Sequence, residues 1–190
     1  MSNRLSFTVP VSAQSLYEVI SDLDLLFRLN IQWHLKNHNF SKPINKESSY
    51  FAQVHYDRED KEVQYTVKVL ELIQDSLMII DLEGQKQRRI VFRIQRVSDK
   101  HSIFTLEEEA QEALNKAEIM ELNLWAKSII NYAMISESKR ITSRIWKFIL
   151  DKIWLKLSPT GRRVVFFIII SEIFGLLFFI ILVIYFLFFD

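Results

Sequence analysis

Cysteine is missing from all 190 residues, and glycine and proline number only three each. The first absence excludes disulfides and thiolate metal sites and agrees with a reducing compartment. The second excludes a glycine-rich phosphate loop. Histidine is scarce too. His34 and His38 are four residues apart but straddle a strand end, His34 and His55 belong to wet strand faces, and none of the four histidines makes an HExxH-type pair. No metal site and no cofactor is therefore expected. No nucleophile, base and orienting group occur in a recognisable pattern. The Glu107–Glu109 run reads as a helix start, because carboxylates suit the positive end of a helix dipole.

What the chain does have is an apolar run of 26 residues, Val164 to Phe189, interrupted by one charge, Glu172. As a helix it measures about 39 Å, more than the roughly 30 Å of a bilayer core. The net charge of +1 conceals three unlike parts: residues 1–136 sum to −3, residues 137–163 to +6, and the last 27 to −2. The slightly acidic first part argues against nucleic acid as a partner. The basic part precedes the apolar run, so the positive-inside rule puts the N-terminal domain in the cytoplasm. The opening MSNRLSFTVPVS alternates like a strand and lacks the apolar core of a signal peptide. The expectation is a single-pass, tail-anchored membrane protein in three parts: a domain over 1–136, a juxtamembrane segment over 137–161 and an anchor over 162–190.

Within the domain, Leu5, Phe7, Val9 and Val11 alternate as a strand, closed by Pro10. Ser12 is placed to cap a helix carrying Leu16, Val19, Ile20 and Leu23, and a second helical piece covers Asp24 to Leu29. Alternating segments follow through Leu106, separated by polar turns at Asp57–Glu62, Gln74–Ser76, Glu83–Gln85 and Ser98–Lys100. That is an antiparallel meander with one buried face. Thr105–Glu108 matches a capping box, and a long amphipathic helix is predicted from Ala110 to about Ser136. An open sheet with one apolar face needs a cover, and this helix supplies it.

Strand, short helices, meander and long helix is an α+β order that resembles the START-like helix-grip superfamily of polyketide cyclases and lipid-transfer proteins. The entry FTVPVSAQSLYEVISDLDLLFRLNIQWH carries the likeness most specifically, and it extends over about Arg4 to Met134. The resemblance implies a curved antiparallel sheet round the C-terminal helix, enclosing a cavity for an apolar ligand. Carried over, the lining would be Trp33, Leu35, Tyr50, Val54, Tyr65, Val67, Phe92 and Ile94 from the sheet, with Leu114, Ala117, Met120 and Leu124 from the helix. The Tyr50 and Tyr65 hydroxyls would serve as polar handles. The alternative is that these residues pack as a solid core.

After the domain, Ile141, Ile145, Ile149 and Ile153 recur every four residues beside Trp146, Phe148 and Trp154. Arg140, Arg144, Lys147, Lys152 and Lys156, followed by Arg162 and Arg163, make this a basic amphipathic stretch suited to a lipid surface. Docking on its own domain is the competing reading. Ser158-Pro159-Thr160-Gly161 breaks the helix before the anchor. Inside the anchor, Ser171, Glu172 and Gly175 form a candidate contact for a partner span or a second copy.

Three functions compete. The first is binding or transfer of a lipid, quinone or isoprenoid at the membrane surface. The second is a non-catalytic accessory or scaffold subunit of a membrane complex. The third, least supported, is a membrane-bound cyclase or hydrolase. A continuous apolar cavity above about 300 Å³ would favour the first, and a filled core the second.

Overall fold

The computed structural model describes residues 2–56, 59–84, 87–110 and 114–189. Strand β1 (Ser2–Val9) is followed by helices α1 (Ala13–Ile20) and α2 (Leu23–Arg28). Six strands come next: β2 (Trp33–His38), β3 (Ser49–Tyr56), β4 (Lys61–Ile73), β5 (Leu77–Glu83), β6 (Arg88–Ser98) and β7 (His101–Ala110). Three helices complete the chain: α3 (Lys116–Glu137), α4 (Ile141–Lys152) and α5 (Pro159–Phe189), with a short 3₁₀ turn at Trp154–Lys156.

The strands form one antiparallel sheet in the order β1-β7-β6-β5-β4-β3-β2. Consecutive strands pair from β2 to β7, and β1 returns to the far edge beside β7. Register shifts at Leu35/Asn37, Val69/Glu71 and Arg96/Ser98 bend the sheet, as an extra residue on one strand does. Alternation puts Trp33, Val54, Tyr65, Val67, Ile80, Phe92, Phe104 and Leu106 on the inner face, all buried. There α3 lies across them with Leu122, Trp125, Ala126, Ile129 and Ala133.

The helix starts follow side-chain chemistry. Ser12 accepts from the Ser15 amide at 3.2 Å, and Asp22 from the Leu25 amide at 3.2 Å. Such caps satisfy amides that the helix leaves unpaired. The predicted capping box at Thr105–Glu108 is not one: those residues lie inside β7. The box belongs to Asn115 and Glu118, whose side chains take each other's amides at 2.9 and 2.7 Å. The sheet wins because it gives each of the three glutamates a cross-strand neighbour and pairs two of them with arginine. Glu107 lies opposite Arg4 on β1, Glu109 opposite Arg89 on β6, and Glu108 bonds to Arg88. Cross-strand charge pairs of this kind favour the extended form over a dipole contact.

A second correction concerns Ser158–Gly161. Pro159 opens α5, and the Ser158 hydroxyl accepts from the Gly161 amide at 3.0 Å. Proline suits a first helical position, where its missing N–H is no loss. The chain breaks earlier, at Ile153–Leu157.

Candidate functional site

All eight sheet residues of the expected lining are buried. The helix residues are not gathered with them. Leu114 precedes α3 and is half-buried, as is Leu124, while Ala117 is exposed and Met120 is 62% exposed. The inward stripe of α3 runs through Leu122, Trp125 and Ile129, about a quarter-turn from the predicted one. What fixes this phase is Trp125. Its ring lies 5.9 Å from Trp33 and 5.7 Å from Phe92, edge-on to both. Phe27 stacks on Trp33 at 5.5 Å, and Tyr65 approaches it at 6.1 Å. Aromatic pairs prefer these offset and edge geometries. Sheet and helix therefore touch directly through rings, and the middle of the grip is filled.

The last turn of α2 holds this plug. Three consecutive carbonyls near this helix end, where intrahelical partners run out, each accept from a side chain outside α2, and Phe27 O also takes the Asn30 amide at 3.3 Å. The Trp125 indole donates to Leu26 O at 3.0 Å, the Trp33 indole to Phe27 O at 2.7 Å, and Arg162 Nη2 to Arg28 O at 3.1 Å. Core helix, edge strand and C-terminal helix meet there.

At the end of the grip beside this hub lies a polar cluster that joins the expected handle Tyr65 to Tyr56, Arg88 and Glu108, three residues outside the expected lining. Arg88 clamps Glu108 with two bonds of 2.5 and 2.8 Å, and the Glu108 side chain is 1% exposed. The Tyr56 and Tyr65 hydroxyls are 2.9 Å apart. Burial, and then the neighbouring Tyr65, push the Tyr56 hydroxyl well above the ordinary tyrosine range, so it stays a neutral donor. Burial works against the Arg88 cation, but the Glu108 bond and charge outweigh it and hold Arg88 protonated. The Tyr65 ring needs Gly84 beneath it, since a Cβ there would come within 2.8 Å of the ring. Between Asn30, Gln32, Trp33, Tyr56, Arg88, Glu121, Leu122 and Trp125 remains a cleft of about 20 Å³, room for about one water. Tyr50, the other expected handle, packs edge-on to Phe40 at 5.9 Å instead.

A hollow of about 700 Å³ lies on the helix-free face, lined by Arg4, Ser6, Asp75, Arg93, Arg96 and Thr105 among others. It is an open groove of mixed polar and apolar lining, Leu77 and Ile103 included, on the outer sheet surface and not a chamber within the grip. Among the described residues no group of three His, Asp or Glu side chains is placed to hold a metal.

The segment after α3 is fastened to the domain by polar contacts beside the apolar packing of Leu150 and Leu155. Tyr132 of α3 donates to Asp151 at 2.6 Å, and Lys147 lies 5.8 Å over the Tyr132 ring. Burial first, then Asp151, raises the Tyr132 hydroxyl above its ordinary value of 10.0. A folded value raised in this way means that the bond contributes fully at neutral pH and fades only as the pH climbs past the ordinary tyrosine range. Tyr132→Phe is expected to cost about 1 kcal/mol and to speed amide exchange across α4 while β4–β6 stay protected.

Of the residues expected at a lipid surface, Arg140, Arg144, Trp146, Lys152, Lys156 and Arg163 are exposed, and Lys147 and Trp154 are half-buried. Arg162 is not at a surface: it is 8% exposed. Its guanidinium donates to Trp154 O, Leu157 O and Leu155 O as well as Arg28 O, at 3.0 to 3.4 Å. It takes up helix-end carbonyls and ties α5 to α2. Arg162→Ala is expected to cost about 2 kcal/mol, as charged hydrogen bonds do. The measurable sign is faster amide exchange over residues 153–162. Beyond it, α5 is long and apolar enough to cross a membrane, and its apolar window is not buried against the domain. Ser171, Glu172 and Gly175 are exposed, and a Cβ on Gly175 would meet nothing within 4 Å.

No family model matches the chain, and no curated protein matches it in sequence. Solved structures do match in shape. Protein CV1439 from Chromobacterium violaceum superposes with a TM-score of 0.53 at 10% identity, covering 68% of this chain and 95% of its own. TTHA0849 from Thermus thermophilus gives 0.53 at 10%, over 73% of this chain and 100% of its own. The di-domain ARO/CYC protein StfQ of the steffimycin biosynthetic pathway gives 0.53 at 14%, over 71% of this chain and 45% of its own. The fold is the START-like helix grip. These likenesses cover the sheet and its helix and speak of fold alone.

Proposed function

We propose that the chain is a membrane-anchored START-like protein that works by its surfaces, as a non-catalytic accessory or scaffold subunit of a membrane complex. The observation that carries this reading is the filled grip. Trp125 bridges Trp33 and Phe92, and the cleft beside them holds about 20 Å³. A ligand of lipid size needs a site of about 300 Å³ or more.

Support for the anchor comes from α5, an apolar helix that its own domain leaves uncovered. Such a helix satisfies its backbone internally and is stable in lipid. The basic residues before it, Lys156, Arg162 and Arg163, favour a cytoplasmic domain. Glu172 is costly within a bilayer unless another helix shields it, and the open sides of Ser171 and Gly175 suit a partner span or a second copy.

A second reading rests on a different observation. The polar cluster of Tyr56, Tyr65, Arg88 and Glu108 lies at the head of an apolar grip, beside the hub that ties down α5. That arrangement favours a hydrophobic ligand with a polar head, such as a lipid, quinone or isoprenoid, entering by displacement of Trp33 and Trp125. Cyclase-type chemistry, if the domain performs any, would be located at the same cluster.

Native mass spectrometry of the full chain in mild detergent separates these readings. A bound subunit that is lost in Glu172→Leu is the expected result. A small molecule of lipid mass retained after micelle removal would favour the ligand reading, and a bare monomer would contradict both.

A further inference from the structure

Helix α4 turns an unusual side to its domain. A helix that packs on its own protein does so with its apolar stripe. Here the domain-facing side carries one apolar residue against the core, Leu150, with Asp151 bonded to Tyr132 and Lys147 over the same ring, and no residue of α4 is buried. The side chains directed outward are the large apolar ones: Ile141 is 75% exposed, Ile145 56%, Trp146 59% and Phe148 62%. Arg140, Arg144 and Lys152 border this face and are exposed as well.

We propose that the outward face of α4 is a docking surface for an anionic lipid leaflet, with Ile141, Ile145, Trp146 and Phe148 seated at the headgroup–acyl boundary. Charge complementarity selects lipid of that kind: residues 137–163 carry +6, with Arg140, Arg144, Lys152, Lys156 and Arg163 exposed, while the preceding domain carries −3. Apolar residues with tryptophan, flanked by arginine and lysine, are what an interfacial helix presents. Lys152 lies on the apolar side, where its stem can run along lipid while the ammonium reaches phosphate. Continuity supports the same occupant. Only residues 153–158 separate α4 from α5, and Arg162 fixes that connection against α2. The inference extends the reading of α5 as a span, and the two can fail separately.

The test uses the full chain, one copy per nanodisc, in phosphatidylcholine with or without phosphatidylglycerol, brominated on the acyl chains near the headgroup. The Trp146 signal is taken as the difference between the wild type and Trp146→Phe. In anionic discs it should be blue-shifted, quenched by brominated lipid and protected from aqueous iodide. Arg140→Gln, Arg144→Gln and Lys152→Gln should each weaken seating about fivefold, and Ile145→Asp should abolish it. Iodide-accessible, bromine-insensitive Trp146 in anionic discs would overturn the proposal. So would equal seating in neutral discs, or shielding that appears only when two copies share a disc. Resistance to alkaline extraction is scored separately, so failure of α4 to seat is not confused with failure of α5 to span.

Discussion

Trp125→Ala is expected to destabilise the domain by about 3–5 kcal/mol, the range for removing a large aromatic side chain from a packed core. Trp125 is 1% exposed and touches Trp33 and Phe92. Its loss would remove the ring contacts between sheet and helix and leave Leu26 O without its donor. Trp125→Phe keeps a ring in place and forfeits only the bond to Leu26, a loss of about 1–3 kcal/mol. Urea unfolding followed by far-UV circular dichroism should rank the two in that order. Equal, small losses would mean that the grip tolerates an empty centre and is not a solid core.

Breaking the buried ion pair should have the next largest effect. Glu108→Ala leaves the Arg88 guanidinium facing Tyr56 and Tyr65 without its carboxylate, and stranding a buried charge costs about 3–5 kcal/mol. Arg88 retains 26% exposure, so water screens it and the lower end of that range is expected. The double substitution Arg88→Met with Glu108→Leu removes both charges and should recover most of the loss, since an apolar pair of similar volume often matches an ion pair. A double-mutant cycle in urea measures this. If Glu108→Ala proves neutral, the pair is solvated in solution and the cluster is an open mouth.

The strands were legible because alternation with a period of two is a strong signal, and each turn is marked by polar residues. The start of α3 was not. Glu107–Glu109 satisfy a local rule for helix starts, while their true partners, Ser2, Arg88 and Arg89, come from other strands and become visible only with the register. Part of that answer was present in the parity of β7: Glu108 follows Phe104 and Leu106 on the inward side, and Arg88 precedes Ile90 and Phe92 on the inward side of β6. Two opposite charges breaking two apolar stripes are a signal for a buried pair. The helix stripe failed for another reason. Leu114, Ala117, Met120 and Leu124 are apolar at helical spacing, yet the phase is set by Trp125 packing edge-on against residues far away in sequence. Arg162 was misplaced because a basic residue before an apolar run ordinarily faces headgroups. Its actual acceptors are carbonyls of α2 and of the 153–157 connection, which sequence spacing does not bring together.

The central claim is that the grip is filled by its own aromatic rings while the chain rests on a bilayer. The most direct measurement is tryptophan emission from the full chain with Trp146→Phe and Trp154→Phe, which leaves only Trp33 and Trp125, in nanodiscs of acyl-brominated phosphatidylcholine and phosphatidylglycerol. Bromine quenches on contact, so a filled grip predicts the same emission as in unbrominated discs. Strong quenching of this buried pair would place a lipid chain inside the grip and contradict the account.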